Sequence, residues 1–434
     1  MIDRGRGVVH RRVGGPAAGT TGSTALVNVR TSRPVPVDRH TRTGNEPVQD
    51  RVQRLDARAW QLLCAGDNRE AAVCHSVCIL VDERTPEFPG MAWRALLTLV
   101  CAGDLIRADE HCHRLSLLPA GRQSPAGRDV VTLVKARISQ LQGDNGPLTD
   151  ALAELCLRDI GGPLGQVLTA WGVEALVDAG ELDAAQALLA DRFVSGLPTS
   201  TPYYPLLLAA RAAVHAATDA PAKAVVDYLD CGRALTARGI MNPAILPWRS
   251  RVATILGPDR REMATRLARD ELSLARQWGA ARTIGQSLQV YALTQEDERA
   301  IPALSESVDL LDLAGARDEM LQASYRLAGR QISTGDWLAA QQRLTVAADI
   351  ARTGGAGRWL TAIEAALTKL SKERTSSQLT RQQWRVTSLA RTGATNASIA
   401  GQLGLSVRAV EFHLSAAYRR LGISGRGELC RMVG

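Results

Sequence analysis

Lysine is nearly absent from this chain. It occurs only at Lys135, Lys223, Lys369 and Lys372, against 48 arginines. None of the four follows a glycine, so no G-x-x-x-x-G-K-[ST] phosphate loop exists in the sequence, and the usual ATP- or GTP-driven switch is excluded. Aromatic residues are also scarce: eight Trp, six Tyr and three Phe make up 4% of 434 residues. That favours Ala and Leu packed between helices over aromatic-rich sheets. No run of 18 apolar residues occurs, so no membrane-spanning helix and no membrane partner are expected. The arginines near the start precede no apolar stretch, so no signal peptide is expected either. Eight cysteines over this length make no disulfide framework, and reduced thiols in a cytoplasmic protein fit better. The length suits two to four domains at ~100–200 residues each.

What charge there is lies at the ends. Residues 1–60 carry 11 Lys/Arg against five Asp/Glu, residues 61–375 carry 33 against 37, and residues 376–434 carry eight against two. Basic ends on a mildly acidic body point to nucleic acid at one end. Residues 1–46 are rich in Gly, Pro, Thr and Arg, with no helical or strand period, and are expected to be a disordered basic tail.

From about residue 50 onward, helix breakers recur at one spacing. Acidic residues at or beside them stand at positions 67, 104, 144, 181, 219, 259, 297 and 336, with separations of 37, 40, 37, 38, 40, 38 and 39. A glycine there can end one helix in the left-handed conformation, and the acid after it can cap the next. Ala71, Ala108, Ala184, Ala222 and Ala340 follow a few places later. Small residues at such positions are expected to let the two helices of a hairpin approach. A unit of ~38 residues holds two helices, and one hairpin cannot bury its own apolar face without neighbours. Residues 47–370 therefore predict a tetratricopeptide-like α-solenoid of about eight helix pairs. Prolines at 198, 202, 205, 243 and 247 predict bends near 196–205 and 241–248. Such a solenoid usually binds a protein, a peptide or a small molecule on its concave face.

The last sixty residues hold the chemistry. Thr380-Arg381-Gln382-Gln383 predicts a capping box and a helix to Arg391, ended at Gly393. Thr395 caps a short second helix that ends at Gly404, and Ser406 caps a third that runs to about Leu421. Two short helices across a glycine-containing turn make a helix-turn-helix. On the third helix Val410, Leu414, Ala417 and Leu421 form an inner stripe, with Arg408, Glu411, Phe412, Ser415 and Arg419 opposite. Arg can donate to guanine, Glu can accept from cytosine and Phe can meet a thymine methyl, which is what a major-groove reader needs. Packing of Phe412 on the second helix, and orientation of Arg408 by Glu411, are the plainer readings of those residues.

The stretch from Leu379 to Leu429 resembles the LuxR-type DNA-binding domain. It carries Leu379-Thr380, Val386, Gly393, Thr395-Asn396, Ile399-Ala400, Leu403, Leu405-Ser406, Val410-Glu411-Phe412-His413-Leu414, Tyr418, Leu421-Gly422-Ile423 and Arg426 at the family's spacing. The order of parts also resembles the C-terminal portion of the large ATP-binding LuxR-type regulators, without their ATPase. The resemblance implies an all-α chain, with helical repeats followed by a four-helix domain at 379–434 after a linker at 371–378. It implies double-stranded DNA as partner, bound as a homodimer. Arg408, Glu411, Phe412 and Ser415 would then read bases, and Thr395, Asn396, Ser406, Arg419 and Arg426 would hold phosphates. The sequence departs from the family at Gln383 and Ser398, where an acid is usual, and at Ala409, where Thr is frequent. Each lost acid forgoes ~0.3–1 kcal/mol of helix-dipole interaction. The fourth helix, near 426–432, is short.

Cys74-His75-x-x-Cys78 and His111-Cys112-His113 lie at like places in neighbouring units, which raises a zinc site. Leu188 at the corresponding place elsewhere favours core, so no metal and no cofactor are expected. No Ser-His-Asp, paired-carboxylate or H-E-x-x-H spacing appears, so no enzyme is expected. The sequence thus reads as a DNA-binding transcriptional regulator with a sensing or protein-interaction arm. The alternatives are an interaction scaffold whose helix-turn-helix no longer reads DNA, or a remnant of a split ATPase regulator.

Overall fold

The computed structural model describes residues 48–119, 124–144, 146, 150–151, 162–193, 201–256, 260–354, 356–378, 380–421 and 423–431. The expected tail at 1–46 lies outside them. Among the described residues every regular element is a helix and there is no strand. Helical hairpins follow one another: α1 (Val48–Ala65) with α2 (Arg69–Val81), and α3 (Pro89–Cys101) with α4 (Leu105–Leu117). Next comes α5 (Pro125–Leu141), then α6 (Gly162–Ala179) with α7 (Leu182–Phe193), α8 (Tyr204–Ala217) with α9 (Pro221–Thr236), and α10 (Trp248–Leu256) with α11 (Arg261–Trp278). The series continues with α12 (Ala281–Leu293) and α13 (Asp297–Leu313), then α14 (Arg317–Ser333) and α15 (Trp337–Thr353). The long α16 (Gly357–Gln378) leads to four short helices. Its last turns occupy residues 371–378, where a linker was expected.

Asp67, Asp104, Glu181, Asp219 and Asp336 fall in the turn inside a hairpin, as their spacing predicts; Asp144 follows α5, Asp297 is the first residue of α13, and Asp259 lies outside the described residues. Asp104 accepts from the Arg107 amide at 3.4 Å and Asp336 from the Ala339 amide at 3.2 Å. In the first hairpin the cap is one residue later: Asn68 accepts from the Ala71 amide at 3.2 Å, and Asp67 holds the Asn68 amide at 2.8 Å. Asp219 takes the left-handed turn itself, with φ at 59°, a conformation that Gly66, Gly103, Gly180 and Gly335 take in four other hairpins. Asx side chains tolerate that region better than other L-residues do.

The small residue of each unit sits in a stricter register than the sequence spacing suggests. Ala72, Ala108, Ala185, Ala224, Ala264, Ala300 and Ala340 are all buried, and each is the fourth residue of its helix. Ala108 and Ala340 are as expected, but Ala184 and Ala222 are exposed and Ala71 is only half-buried. The reason is phase. Each residue turns a helix by 100°, so a cap one place later moves the inward position with it. Counting from the helix start finds the inward alanine in each of these units, whereas its distance from the acidic mark varies from three residues (Asp297 to Ala300) to five (Asp67 to Ala72).

The solenoid does not contact only its sequence neighbours. The connection between α9 and α10 crosses to the first hairpin: the amides of Met241 and Asn242 donate to the Cys64 carbonyl at 2.8 and 3.2 Å, and the Asn242 amide nitrogen donates to the Leu63 carbonyl at 2.9 Å. Trp278, 1% exposed, donates its indole N–H to the Cys101 carbonyl at 2.8 Å, and Arg282 reaches the Leu141 carbonyl at 2.7 Å. Trp278 and Ala280 belong to the same apolar core as α3 and α5. The segment 241–247, with Pro243 and Pro247, is thus a non-helical strap to the first hairpin, which satisfies amides of Met241 and Asn242 on that hairpin's carbonyls. No helix among the described residues is long and apolar enough to cross a membrane.

The cysteine-histidine motifs separate. Cys112 is fully buried, and burial pushes its thiol up to about 12, so it packs as a small hydrophobe. Cys74 and His113 are exposed. Among the described residues no three His, Cys, Asp or Glu side chains gather in a metal-binding group.

Candidate nucleic-acid interface

The C-terminal domain begins at Thr380. Its hydroxyl accepts from the Gln383 amide at 3.3 Å, and the Gln383 carbonyl oxygen accepts from the Thr380 amide at 2.9 Å, closing the capping box on α17 (Arg381–Arg391). The same Gln383 oxygen also accepts from the Arg420 guanidinium at 2.8 Å. An amide here does the geometric work of the family's acid, and ties the first helix to the end of the third. Thr395 accepts from the Ser398 amide at 3.2 Å and starts α18 (Asn396–Leu403). Gly404, with φ at 65°, turns the chain, and Ser406 accepts from the Ala409 amide at 3.1 Å to start α19 (Val407–Leu421). A final α20 (Arg426–Arg431) closes the domain. Ser398 makes no capping-box bond back to Thr395; its hydroxyl instead accepts from Gln402 at 3.2 Å.

Val386, Ala390, Ile399, Ala400, Val410, Leu414 and Leu429 are buried together, with Leu403, Leu405, Tyr418, Leu421 and Ile423 packed around them. This core fixes the rotation of α19. Its inward stripe is the expected one, with Ala417 also buried. The opposite face therefore points to solvent.

That face carries Arg408, Glu411, Phe412, Ser415 and Arg419, and all five are exposed. Phe412 is 67% exposed, so it does not pack on the second helix; its ring meets only the edge of His413, at a centroid distance of 5.8 Å. Among the described residues Arg408, Glu411 and Arg419 have no hydrogen bond or ion pair, so Glu411 is not orienting Arg408. Thr395 and Ser406 are exposed at the starts of two helices, where first-turn amides are left for an anion. Asn396 and Arg426 are differently engaged. Arg426 donates to the Asn396 side-chain oxygen at 3.1 Å, to the Ala390 carbonyl at 3.3 Å and to the Ala394 carbonyl. The two residues clamp the turn between the first two helices to the start of the fourth. Sequence spacing showed neither this clamp nor the Arg420–Gln383 bond, because each joins residues more than 29 positions apart.

Residues 377–433 match the family model described as bacterial regulatory proteins, luxR family. No curated protein matches the chain. Among solved structures, a Rap protein complexed with Competence and Sporulation Factor is 14% identical, with a TM-score of 0.52 over 80% of this chain and 99% of that one. A signal transduction ATPase with numerous domains and a tetratricopeptide repeat sensor, from Pyrococcus horikoshii, is 13% identical, with a TM-score of 0.40 over 73% of this chain and 52% of that one. The first likeness shows a shared helical-repeat fold.

Proposed function

We propose that the chain is a sequence-specific DNA-binding transcriptional regulator in which α19 enters the major groove. The observation that carries this reading is the solvent-facing row Arg408, Glu411, Phe412 and Ser415, held opposite a packed core and free of internal partners. An exposed phenylalanine beside an Arg and a Glu without side-chain partners offers base edges one apolar and two polar contacts. Arg408 would donate to guanine, Glu411 accept from cytosine, Phe412 meet a thymine methyl and Ser415 serve either base. Thr395, Ser406 and Arg419 would hold phosphates, with the amides that open α18 and α19. Asn396 and Arg426 would act on phosphate chiefly by fixing the turn that presents those amides.

The division that goes with this reading is a repeat domain at 47–370 and a DNA-binding domain at 379–434. A homodimer would place two half-sites about one helical turn apart, ~10 bp. The repeat domain would serve as a sensing or protein-interaction arm. Its fold likeness to a Rap protein solved with Competence and Sporulation Factor supports that role.

The test is fluorescence anisotropy of the purified chain on its own upstream DNA and on shuffled DNA, at low and physiological salt. Specific sites bind ~10³–10⁷-fold tighter than other DNA, and phosphate-only binding collapses with salt. A preference that survives salt supports the regulator. Absence of binding to any DNA at low salt would leave the interaction scaffold.

A further inference from the structure

Three of the chain's eight tryptophans meet in one place. Trp60 on α1, Trp93 on α3, Trp171 on α6 and Tyr203 just before α8 line a single cavity of about 400 Å³. The strap between α9 and α10 supplies Ile240 and Ile245 to its wall. The Trp93 ring lies 5.8 Å from Trp171 and 6.3 Å, edge-on, from Tyr203. Residues from four hairpins and the strap meet here, where Trp93 and Trp171 belong to the main apolar core and Trp60 packs against it.

The polar groups of the cavity narrow what it can hold. Its one charged lining residue among those described is Arg94. That guanidinium is already committed: its Nε donates to both Asp56 carboxylate oxygens at 3.0 and 3.2 Å, and its Nη2 donates to one of them. An anion entering the cavity would lose its water and meet a guanidinium whose charge Asp56 already balances, and a cation would find no carboxylate in the lining. Tyr203 offers something different. Its hydroxyl oxygen accepts from the Trp93 indole at 2.6 Å, while its own proton has no acceptor among the described residues. Burial pushes the Tyr203 phenol above its ordinary value, so the proton stays on at neutral pH.

We propose that this cavity is a binding site for a small, uncharged, ring-bearing molecule with one hydrogen-bond acceptor, its rings among the three tryptophans and its acceptor on the Tyr203 hydroxyl. The volume stands near the low end of the range for small-molecule sites, ~300–1,000 Å³, and suits roughly two or three fused rings. The inference deepens the sensing-arm reading and rests on it. The strap links the cavity to Leu63 and Cys64, so an occupied cavity would hold distant hairpins in one arrangement.

The experiment is titration calorimetry on the full chain, without DNA, using three probes of one size. 2-Acetylnaphthalene offers rings and a neutral acceptor, 2-naphthoate offers rings and a charge, and 2-ethylnaphthalene offers rings alone. The ketone is expected to bind tightest, ethylnaphthalene about three- to tenfold weaker, and naphthoate weakest. Tyr203→Phe should lower the ketone to the level of ethylnaphthalene and leave ethylnaphthalene unchanged, with an unaltered helical circular dichroism spectrum. Trp60→Leu, at a half-buried position, should weaken all three. Saturable binding of none of the probes would overturn the proposal. So would naphthoate binding as tightly as the ketone, or a Tyr203→Phe chain that binds the ketone as before. DNA anisotropy on the same preparation is a separate readout, so loss of either activity is not mistaken for loss of the other.

Discussion

Gly232 and Gly329 both lie inside helices, and the structure assigns opposite signs to their replacement by alanine. At Gly232 a Cβ would stand 2.5, 2.6 and 2.7 Å from three carbons of the Trp248 indole. Ordinary contact begins nearly 1 Å farther out, so the whole ring must move. The Arg249 guanidinium stacks over that ring, 4.5 Å from its centroid. Overpacking of this kind costs ~1–3 kcal/mol, and three close contacts on a rigid ring place it at the upper end. Alanine returns ~1 kcal/mol of helix propensity, so Gly232→Ala should destabilise by about 2 kcal/mol. At Gly329 a Cβ meets nothing within 4 Å, so only the propensity gain of ~1 kcal/mol remains. Urea unfolding followed by circular dichroism should separate the two variants by about 3 kcal/mol. Hydrogen exchange gives a local readout: Trp248 follows directly on the strap, so Gly232→Ala should speed exchange at Met241 and Asn242, and Gly329→Ala should not. Equal stability changes, or a more stable Gly232→Ala chain, would refute the packing argument.

Three further outcomes follow from the geometry. Phe412→Ala should leave unfolding unchanged, because the ring is exposed, yet weaken specific DNA binding; Arg408→Ala should relax the choice of one base pair by ~1–3 kcal/mol in anisotropy with single-site operator variants. Gln383→Glu should stabilise the C-terminal domain by ~0.3–1 kcal/mol, seen as slower exchange in α17, since a carboxylate there faces the helix N-terminus and Arg420 together. Asp297, on α13, accepts from Arg330 at 2.7 Å and from Ser333 at 3.0 Å on α14, and these bonds hold its carboxyl below its ordinary value. Its stabilising contribution is therefore full above the ordinary carboxylate range and is lost as pH falls through the depressed folded value. The stability gap between the native chain and Asp297→Asn, measured by urea unfolding, should accordingly shrink on acidification from pH 6 to about pH 3.

Much of the architecture was legible locally. Helix caps, breakers and apolar stripes act within four or five residues, so Thr380, Thr395, Ser406, Gly404 and the repeat marks could be placed from spacing alone. The exposed row on α19 followed from the same periodicity. What escaped was either phase or distance. The inward alanine of each hairpin depends on which residue starts the helix, and Asn68 rather than Asp67 does so in the first. The strap contacts join Asn242 to Leu63 across 179 positions, and Trp278 to Cys101 across 177; no local pattern encodes them. The place of Arg426 in the motif suggests a phosphate ligand, while its partners lie on α17, on α18 and in the turn between them. The aromatic cavity has no sequence signature, because its four rings come from positions 60, 93, 171 and 203.

The central claim is that the face of α19 selects sequence. Genome-wide capture of bound DNA by the native chain and by its Arg408→Ala variant tests it most directly. The account predicts a shared motif of two related half-sites about one helical turn apart, and a motif for the variant that has lost preference at one position in each half. Enrichment without any common motif, or an identical motif for both chains, would contradict it.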